Sequence, residues 1–396
     1  MLNVKEDFPI FKSKPDWVYL DTAATALKPF CLAKRLQQFY DYEYATVNRS
    51  IYKESLIATE NFLKTKILLA RLLNVTPDEL IFTKGTTESI NLLANSLGQL
   101  LQEGDSILIS EAEHHSNIVP WQLLKERKNI SIKVFKVHDD GSIDLDSYKK
   151  ELTADVKIVS FPHVSNVLGT IFPAKIMAEI AHQHNAKVII DGAQAPFHTM
   201  VDIYDLGVDF YVGSIHKMYG PTGLGFLYGK KEHLEIMPPF LGGGDMIQTV
   251  TFEKTTYQSP PLKFEAGTPN IADVIAFSSV LEYMMQIPIE KIIRHELELK
   301  EIVLAELKQI QDIQIIGQAK EKIGITSFTI EGIHPSDLAY FLDAKNIAIR
   351  TGHLCAQPLL SRFGKTQVSR VSFGIYSDHK DIDRFITALK KAKTLF

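Results

Sequence analysis

The chain has 396 residues, 45% hydrophobic and 23% charged, with 43 Lys or Arg against 47 Asp or Glu and a formal net charge of -4. That length allows two or three domains of about 150 residues, with a core that needs no disulfide or metal staples. Its 22 Gly and 17 Pro exclude collagen, disordered and disulfide-scaffold classes, and the slight acidic excess has the wrong sign for neutralising nucleic-acid phosphates.

The N-terminal stretch MLNVKEDFPIF sets Lys5, Glu6 and Asp7 where a signal peptide needs apolar residues. No apolar run approaches the ~18 residues of a spanning helix. Cys31 and Cys355 are too few for a disulfide framework and lack zinc-site spacing, so a cytoplasmic protein without a metal is expected. From about Glu79 to Tyr228, short β-branched runs alternate with amphipathic stretches, the pattern of βαβ units in an α/β fold. Strands are expected at Leu80 to Thr83, Ser106 to Ser110, Lys157 to Pro162, Lys187 to Asp191, Asp209 to Val212 and Gly225 to Tyr228. Their near-continuous apolar character fits a parallel sheet covered on both faces. Helical periodicity falls at Glu88 to Leu101, Asn117 to Glu126 and Pro173 to His184. Past Glu290 a long charged helix leads to strands near Ile313 to Ile316, Gly324 to Ile330 and Ile347 to Arg350, a smaller α+β unit. Its last helix puts Ile382, Phe385, Ile386 and Leu389 on one face.

Ligands of an open parallel sheet bind beyond the carboxyl ends of its strands, so polar residues just after apolar runs carry the interest. In FTKGTTESINLL, Gly85, Thr86 and Thr87 sit at a helix start, where free N–H groups and hydroxyls form either an anion cradle or an ordinary threonine cap. In KVIIDGAQA, Asp191 ends a strand and could pair with a cationic ring nitrogen or simply cap a helix. In YVGSIHKMYGPTG, Ser214, His216 and Lys217 enter a glycine-rich turn, where a lysine is either a catalytic amine or merely exposed. In IAIRTGHLCAQP, Cys355 follows Arg350 and His353, and a thiol flanked by cationic groups can serve as a nucleophile. Cys31, among helical apolar positions, is read as a packed core thiol. A phosphate cradle, a carboxylate for a pyridinium nitrogen and an imine-forming lysine are together the three handles of pyridoxal phosphate.

The motifs EHHSNIVPW, HVSNVLGT, DGAQA, SIHKMYGPTG, FEAGTPN and RTGHLCAQP resemble those of the SUF-type, group II (NifS-like) cysteine desulfurases of the class V aminotransferase family, over almost the whole chain. The resemblance implies a pyridoxal 5'-phosphate-dependent transferase of fold type I. It implies a large cofactor domain over 18–285 with a mainly parallel sheet, and a small α+β domain from 1–17 and 286–396 that carries the cysteine. By the same resemblance Lys217 carries the cofactor as an imine, Asp191 pairs with the pyridine nitrogen, and Gln194 bonds the ring oxygen. His114 stacks on the ring and assists proton transfer. Thr86, Thr87, Ser214 and His216 hold the phosphate, with Thr268 reaching in from the second subunit of a homodimer. Asn166 and Arg370 bind the substrate carboxylate, while Arg350 and His353 line the mouth beside Cys355. His115 is read as satisfied by backbone and stays outside this site. The chain departs from the family pattern at Asn48, Ile215 and Leu354 without losing a cofactor handle. The implied reaction converts L-cysteine to L-alanine, leaving a persulfide on Cys355 for a SUF-type acceptor protein in iron-sulfur cluster assembly. A selenocysteine lyase, a kynureninase or an aminotransferase of the same fold would share most of these residues, and a non-catalytic scaffold would need none of them.

Overall fold

The computed structural model describes residues 2–48 and 50–395. Its larger sheet holds β1 (Leu80–Thr83), β2 (Ser106–Ser110), β3 (Ser131–Phe135), β4 (Val156–Pro162), β5 (Lys187–Asp191), β6 (Phe210–Ser214) and β7 (Gly225–Gly229). Their spatial order is β1-β7-β6-β5-β4-β2-β3. Only β7 runs against the rest, antiparallel to both β1 and β6, so the six other strands end at one edge. The sheet is therefore mainly parallel, with one reversed strand. Strands β2, β6 and β7 are buried along their whole length, and β5 nearly so, as helices on both faces require. Edge strand β3 is missing from the sequence reading for a physical reason: Ser131 and Val134 are exposed and Lys133 only half covered, so it lacks a buried run.

The smaller sheet holds β8 (Ile313–Ile316), β9 (Ile325–Ile330), β10 (Arg350–Gly352) and β11 (Val368–Ser372), ordered β8-β9-β11-β10 and antiparallel throughout. Leu299 and Val303 of the Ile289–Leu307 helix and Phe385 and Leu389 of the His379–Leu395 helix cover it, meeting Phe328 and Val371. The single strand expected at Ile347 to Arg350 is split. Ile347–Ala348 pairs in parallel with Val18–Tyr19, and Arg350 begins β10. Val18 and Leu20 accordingly join the smaller core, whereas Phe8 and Phe11 pack into the larger one. Cys31 lies half-buried against the larger core. Among the described residues, no helix is long and apolar enough to cross a membrane.

Candidate active site

Five of the six co-directed strands end at one cavity of about 370 Å³, within the range of small-ligand sites. Thr86 and Thr87 follow β1, His114 follows β2, Asn166 follows β4, Asp191 and Gln194 close β5, and Ser214 to Lys217 close β6. The smaller unit supplies Arg350, Leu354, Cys355 and Arg370, and the N-terminal segment adds Ala23 to Thr25.

At the β1 end, the Thr86–Ser96 helix starts with Gly85 as its cap, a residue with no side chain to cap the first turn. The Thr86 amide donates to Ser214 Oγ at 2.9 Å, and that hydroxyl donates to Thr86 Oγ1 at 2.8 Å. A Cβ on Gly225 would come within 2.3 Å of Gly85 Cα, so glycine there lets β7 close against the cradle. Exposed Thr87 shares a 2.7 Å hydrogen bond with Ser116. His216 Nδ1 meets Thr25 Oγ1 at 3.1 Å, and burial, Lys217 and Lys28 lower its pKa to about 4, leaving a neutral ring.

Asp191 is 4% exposed and accepts from the Ala193 amide at 2.9 Å. Burial pushes its carboxyl above the ordinary range, while that amide and Lys217 pull it back. A buried carboxylate facing the cavity with one amide donor suits a cationic ring N–H. Gln194 donates to the Ala23 carbonyl at 2.8 Å, which fixes the side chain. Lys217 sits in the Ile215–Lys217 turn directly after β6. Burial, with Arg370, lowers its ammonium pKa to about 8 against the pull of Asp191, Cys355 and Asp21. Among the described residues its Nζ has no hydrogen-bond partner. His114 Nδ1 accepts from the Ser116 amide at 3.1 Å. Burial, together with Lys217, His115 and Arg370, lowers its pKa to about 3. The EHHSN turn is anchored from beneath: buried Glu113 accepts from Asn117, whose amide oxygen accepts from Trp121 and Ser160.

Arg370 is 3% exposed. Its Nη1 donates to the Asn166 carbonyl at 2.9 Å and its Nη2 to Asp21 Oδ1 at 3.1 Å, while its Nε is buried without a partner. An orphaned guanidinium N–H at a cavity wall calls for an acidic ligand, since a buried unpaired donor costs stability. Asn166 directs its side-chain amide to the Leu354 carbonyl at 2.8 Å, so in this state it holds the cysteine segment. His353 is exposed, and its Nδ1 accepts from the Cys355 amide at 3.0 Å. Cys355 and Leu354 line the cavity with φ of 54° and 52°, both left-handed.

Thr268 is exposed and does not line this cavity; every other residue expected at the site does, save His353 at its rim. Asp21, Thr25 and Ser116 escaped the sequence reading. The strand-end rule covers Ser116, which lies two residues past His114. Asp21 and Thr25 come from the N-terminal segment, where nothing in sequence signals proximity. Of the departures, Ile215 is fully buried against the glycine turn, Leu354 lines the cavity, and Asn48 lies away from it with a left-handed φ of 74°.

The aminotransferase class-V family matches residues 18–385. The chain belongs to that family. This class-V protein is 43% identical to a probable cysteine desulfurase of Xylella fastidiosa (strain Temecula1), in an alignment covering 99% of this chain and 95% of the relative. It superposes with a TM-score of 0.93 on a cysteine desulfurase of Escherichia coli solved in an S-sulfonic acid form, 36% identical and covering 99% of this chain and 98% of that one. The apo cysteine desulfurase of Thermococcus onnurineus gives 0.95 at 32% identity, with the same coverages. The fold is type I of the pyridoxal phosphate-dependent transferases, and the class-V site has the donor set that cofactor needs: free amides and hydroxyls for a phosphate, a buried carboxylate and a free amine.

Proposed function

We propose that the protein is a cysteine desulfurase that moves the sulfur of L-cysteine onto Cys355 and releases L-alanine. The single observation carrying this reading is that a cysteine in left-handed backbone lines the same cavity as the amine of Lys217, the buried Asp191 and the orphaned Nε of Arg370. Thr86, Thr87, Ser214 and His216 would hold the phosphate of pyridoxal 5'-phosphate, Asp191 its ring nitrogen, Gln194 its ring oxygen and Lys217 its aldehyde carbon, with His114 against the ring. When bound, that group supplies an electron sink for a carbanion at the substrate Cα.

Arg370 receives the substrate carboxylate, with Asn166 beside it and Arg350 at the mouth. Lys217, lowered to about 8, is a base of suitable strength for the Cα proton near neutrality. Cys355 Sγ then bonds to the substrate sulfur as the substrate C–S bond breaks. The carbon fragment takes up one proton at Cβ, in place of the sulfur, and one back at Cα to become alanine, and the sulfur stays as a persulfide. Holding the two sulfurs in one cavity replaces a bimolecular encounter, an advantage on the order of 7 kcal/mol or more in favourable cases.

Several finer statements belong to this reading. The persulfide passes to a SUF-type acceptor protein for iron-sulfur cluster assembly, in the cytoplasm, where free thiols such as Cys31 and Cys355 persist. Two chains pair, so that Thr268 of each serves the phosphate of the other. Tyr40, Tyr42, Tyr44, Leu56, Leu63 and Ile67 are exposed apolar side chains, which supports such pairing. The larger and smaller units divide near residue 285, with Phe8 and Phe11 packed into the larger core and Val18 and Leu20 into the smaller, the reverse of a boundary at 17/18.

The test incubates wild type and Cys355→Ser with L-cysteine and follows alanine and the mass of the Cys355 peptide. Wild type should make alanine and gain one sulfur on that peptide, and the variant should keep its yellow colour but make no alanine. Equal alanine production by the variant would sink the persulfide route in favour of a lyase that needs no thiol.

A further inference from the structure

His115 lies next to His114 but points elsewhere. It begins the His115–Asn117 turn that follows β2 and the Glu111–His114 stretch, in the larger unit, while Cys355 follows β10 in the smaller one. The His115 amide donates to the Cys355 carbonyl at 2.7 Å, and the His115 ring accepts at Nε2 from the Gln357 amide at 3.1 Å. Two further bonds act on the same stretch, from the Cys355 amide to His353 and from Asn166 to the Leu354 carbonyl. Four backbone polar groups from Leu354 to Gln357 are thus each held by a different bond, two of them from His115.

The stretch needs such holding. Leu354 and Cys355 are adjacent non-glycine residues in left-handed backbone, a conformation that persists only where the surroundings over-determine it. The hydrogen bonds also assign the rings. With Nε2 accepting, neutral His115 carries its proton on Nδ1; with Nδ1 accepting, neutral His353 carries its proton on Nε2. Ring nitrogens of both residues and Cys355 Sγ fall within 4.8 Å of one another, a spacing that suits a metal, yet the one lone pair of each ring is already committed to an amide. The rings stand 5.6 Å apart as a clasp across the cysteine segment.

We propose that His115 is a positioning residue for the nucleophile, holding Leu354 to Gln357 in the left-handed path that puts Cys355 Sγ at the cavity. The inference rests on the desulfurase reading for its kinetic consequence but not for the clasp itself. His115→Ala removes the ring acceptor and keeps the backbone bond, whereas His115→Gln offers an amide oxygen near the position of Nε2. In the holoenzyme, amide hydrogen exchange at Cys355 and Gln357 without substrate should be slow in wild type, faster in His115→Ala and slow again in His115→Gln. Turnover of L-cysteine should fall about tenfold or more in His115→Ala, as sub-ångström misplacement of a reacting atom implies. KM and cofactor absorption should hold, and His115→Gln should recover most of the rate. Unchanged exchange in His115→Ala, or a Gln variant as slow as the Ala variant in turnover, would overturn the proposal. Failure of wild type itself to make alanine would instead overturn the desulfurase reading and leave the exchange result to judge the clasp alone.

Discussion

Nη2 of Arg370 stands 3.1 Å from Oδ1 of Asp21, a pair in which the arginine is almost wholly enclosed and the aspartate side chain is 15% exposed. Burial pushes the Asp21 carboxyl up and Arg370 opposes that push, so the pair compensates a guanidinium that would otherwise be stranded. An incoming carboxylate meets the unused Nε and must share Nη2 with Asp21. Replacing the fork by the point charge of Arg370→Lys should raise KM for L-cysteine about tenfold or more, the scale of one charge-assisted hydrogen bond, with cofactor colour intact. Asp21→Asn should lower unfolding stability by about 1–3 kcal/mol. Unaltered thermal melting of that variant would show that Asp21 does not support the arginine.

Ser214 bridges the Thr86 amide and hydroxyl, so Ser214→Ala strips two contacts from the proposed phosphate cradle at once. Loss of about 1 kcal/mol for each of the two neutral hydrogen bonds predicts cofactor affinity weaker by roughly thirtyfold. Equilibrium dialysis of wild type and variant against pyridoxal phosphate measures it, and equal dissociation constants would remove Ser214 from the cradle.

Lys217 attacks an aldehyde only as the neutral amine. Its ammonium pKa lies near 8 in the folded chain, below the ordinary 10.5, so the reactive fraction grows as pH rises and saturates above about 8. Cofactor uptake by apo-protein, followed by visible absorption, should accelerate up to that pH and then level. The sign for stability follows: between about 8 and 10.5 the unfolded chain binds the extra proton, so the apo-protein gains stability with rising pH across that window. Uptake that keeps accelerating well past 8 would contradict the lowered value.

His114 is neutral throughout the physiological range, with its pKa lowered to about 3. If it serves both as a ring surface and in proton transfer, His114→Phe should keep bound cofactor while turnover falls by about 10² or more, the usual weight of one positioned acid or base. Turnover within a factor of a few of wild type would assign His114 to stacking alone.

Much of the fold was legible because two-sided burial leaves a plain mark. The runs KVIID and SILIS carry continuous apolar centres, VII and ILI, as strands covered on both faces do. The strand-end rule singled out Thr86, Asp191 and Lys217, and the resemblance implied the roles of His114 and Asn166 beside them. What escaped depends on contacts across long sequence distances. Asp21 reaches Arg370 through the N-terminal segment's pairing of Val18–Tyr19 with Ile347–Ala348, a two-stranded ladder next to the smaller sheet. His115 and Gln357 are remote in sequence, and no local pattern announces that a histidine will cap the amide after a nucleophile. The reversal of β7 was equally silent, since an apolar strand reads alike in either direction.

That reversal bears on how quickly the amine can be used again. Because β6 and β7 are neighbours joined through residues 215–224, Lys217 sits on a strap sewn down at both ends by the ladder that links Phe210–Ser214 to Gly225–Gly229. In the role proposed for it, the amine would have no slack in which to wander, so removing a proton and holding the cofactor would be short reaches of one leashed group rather than separate searches.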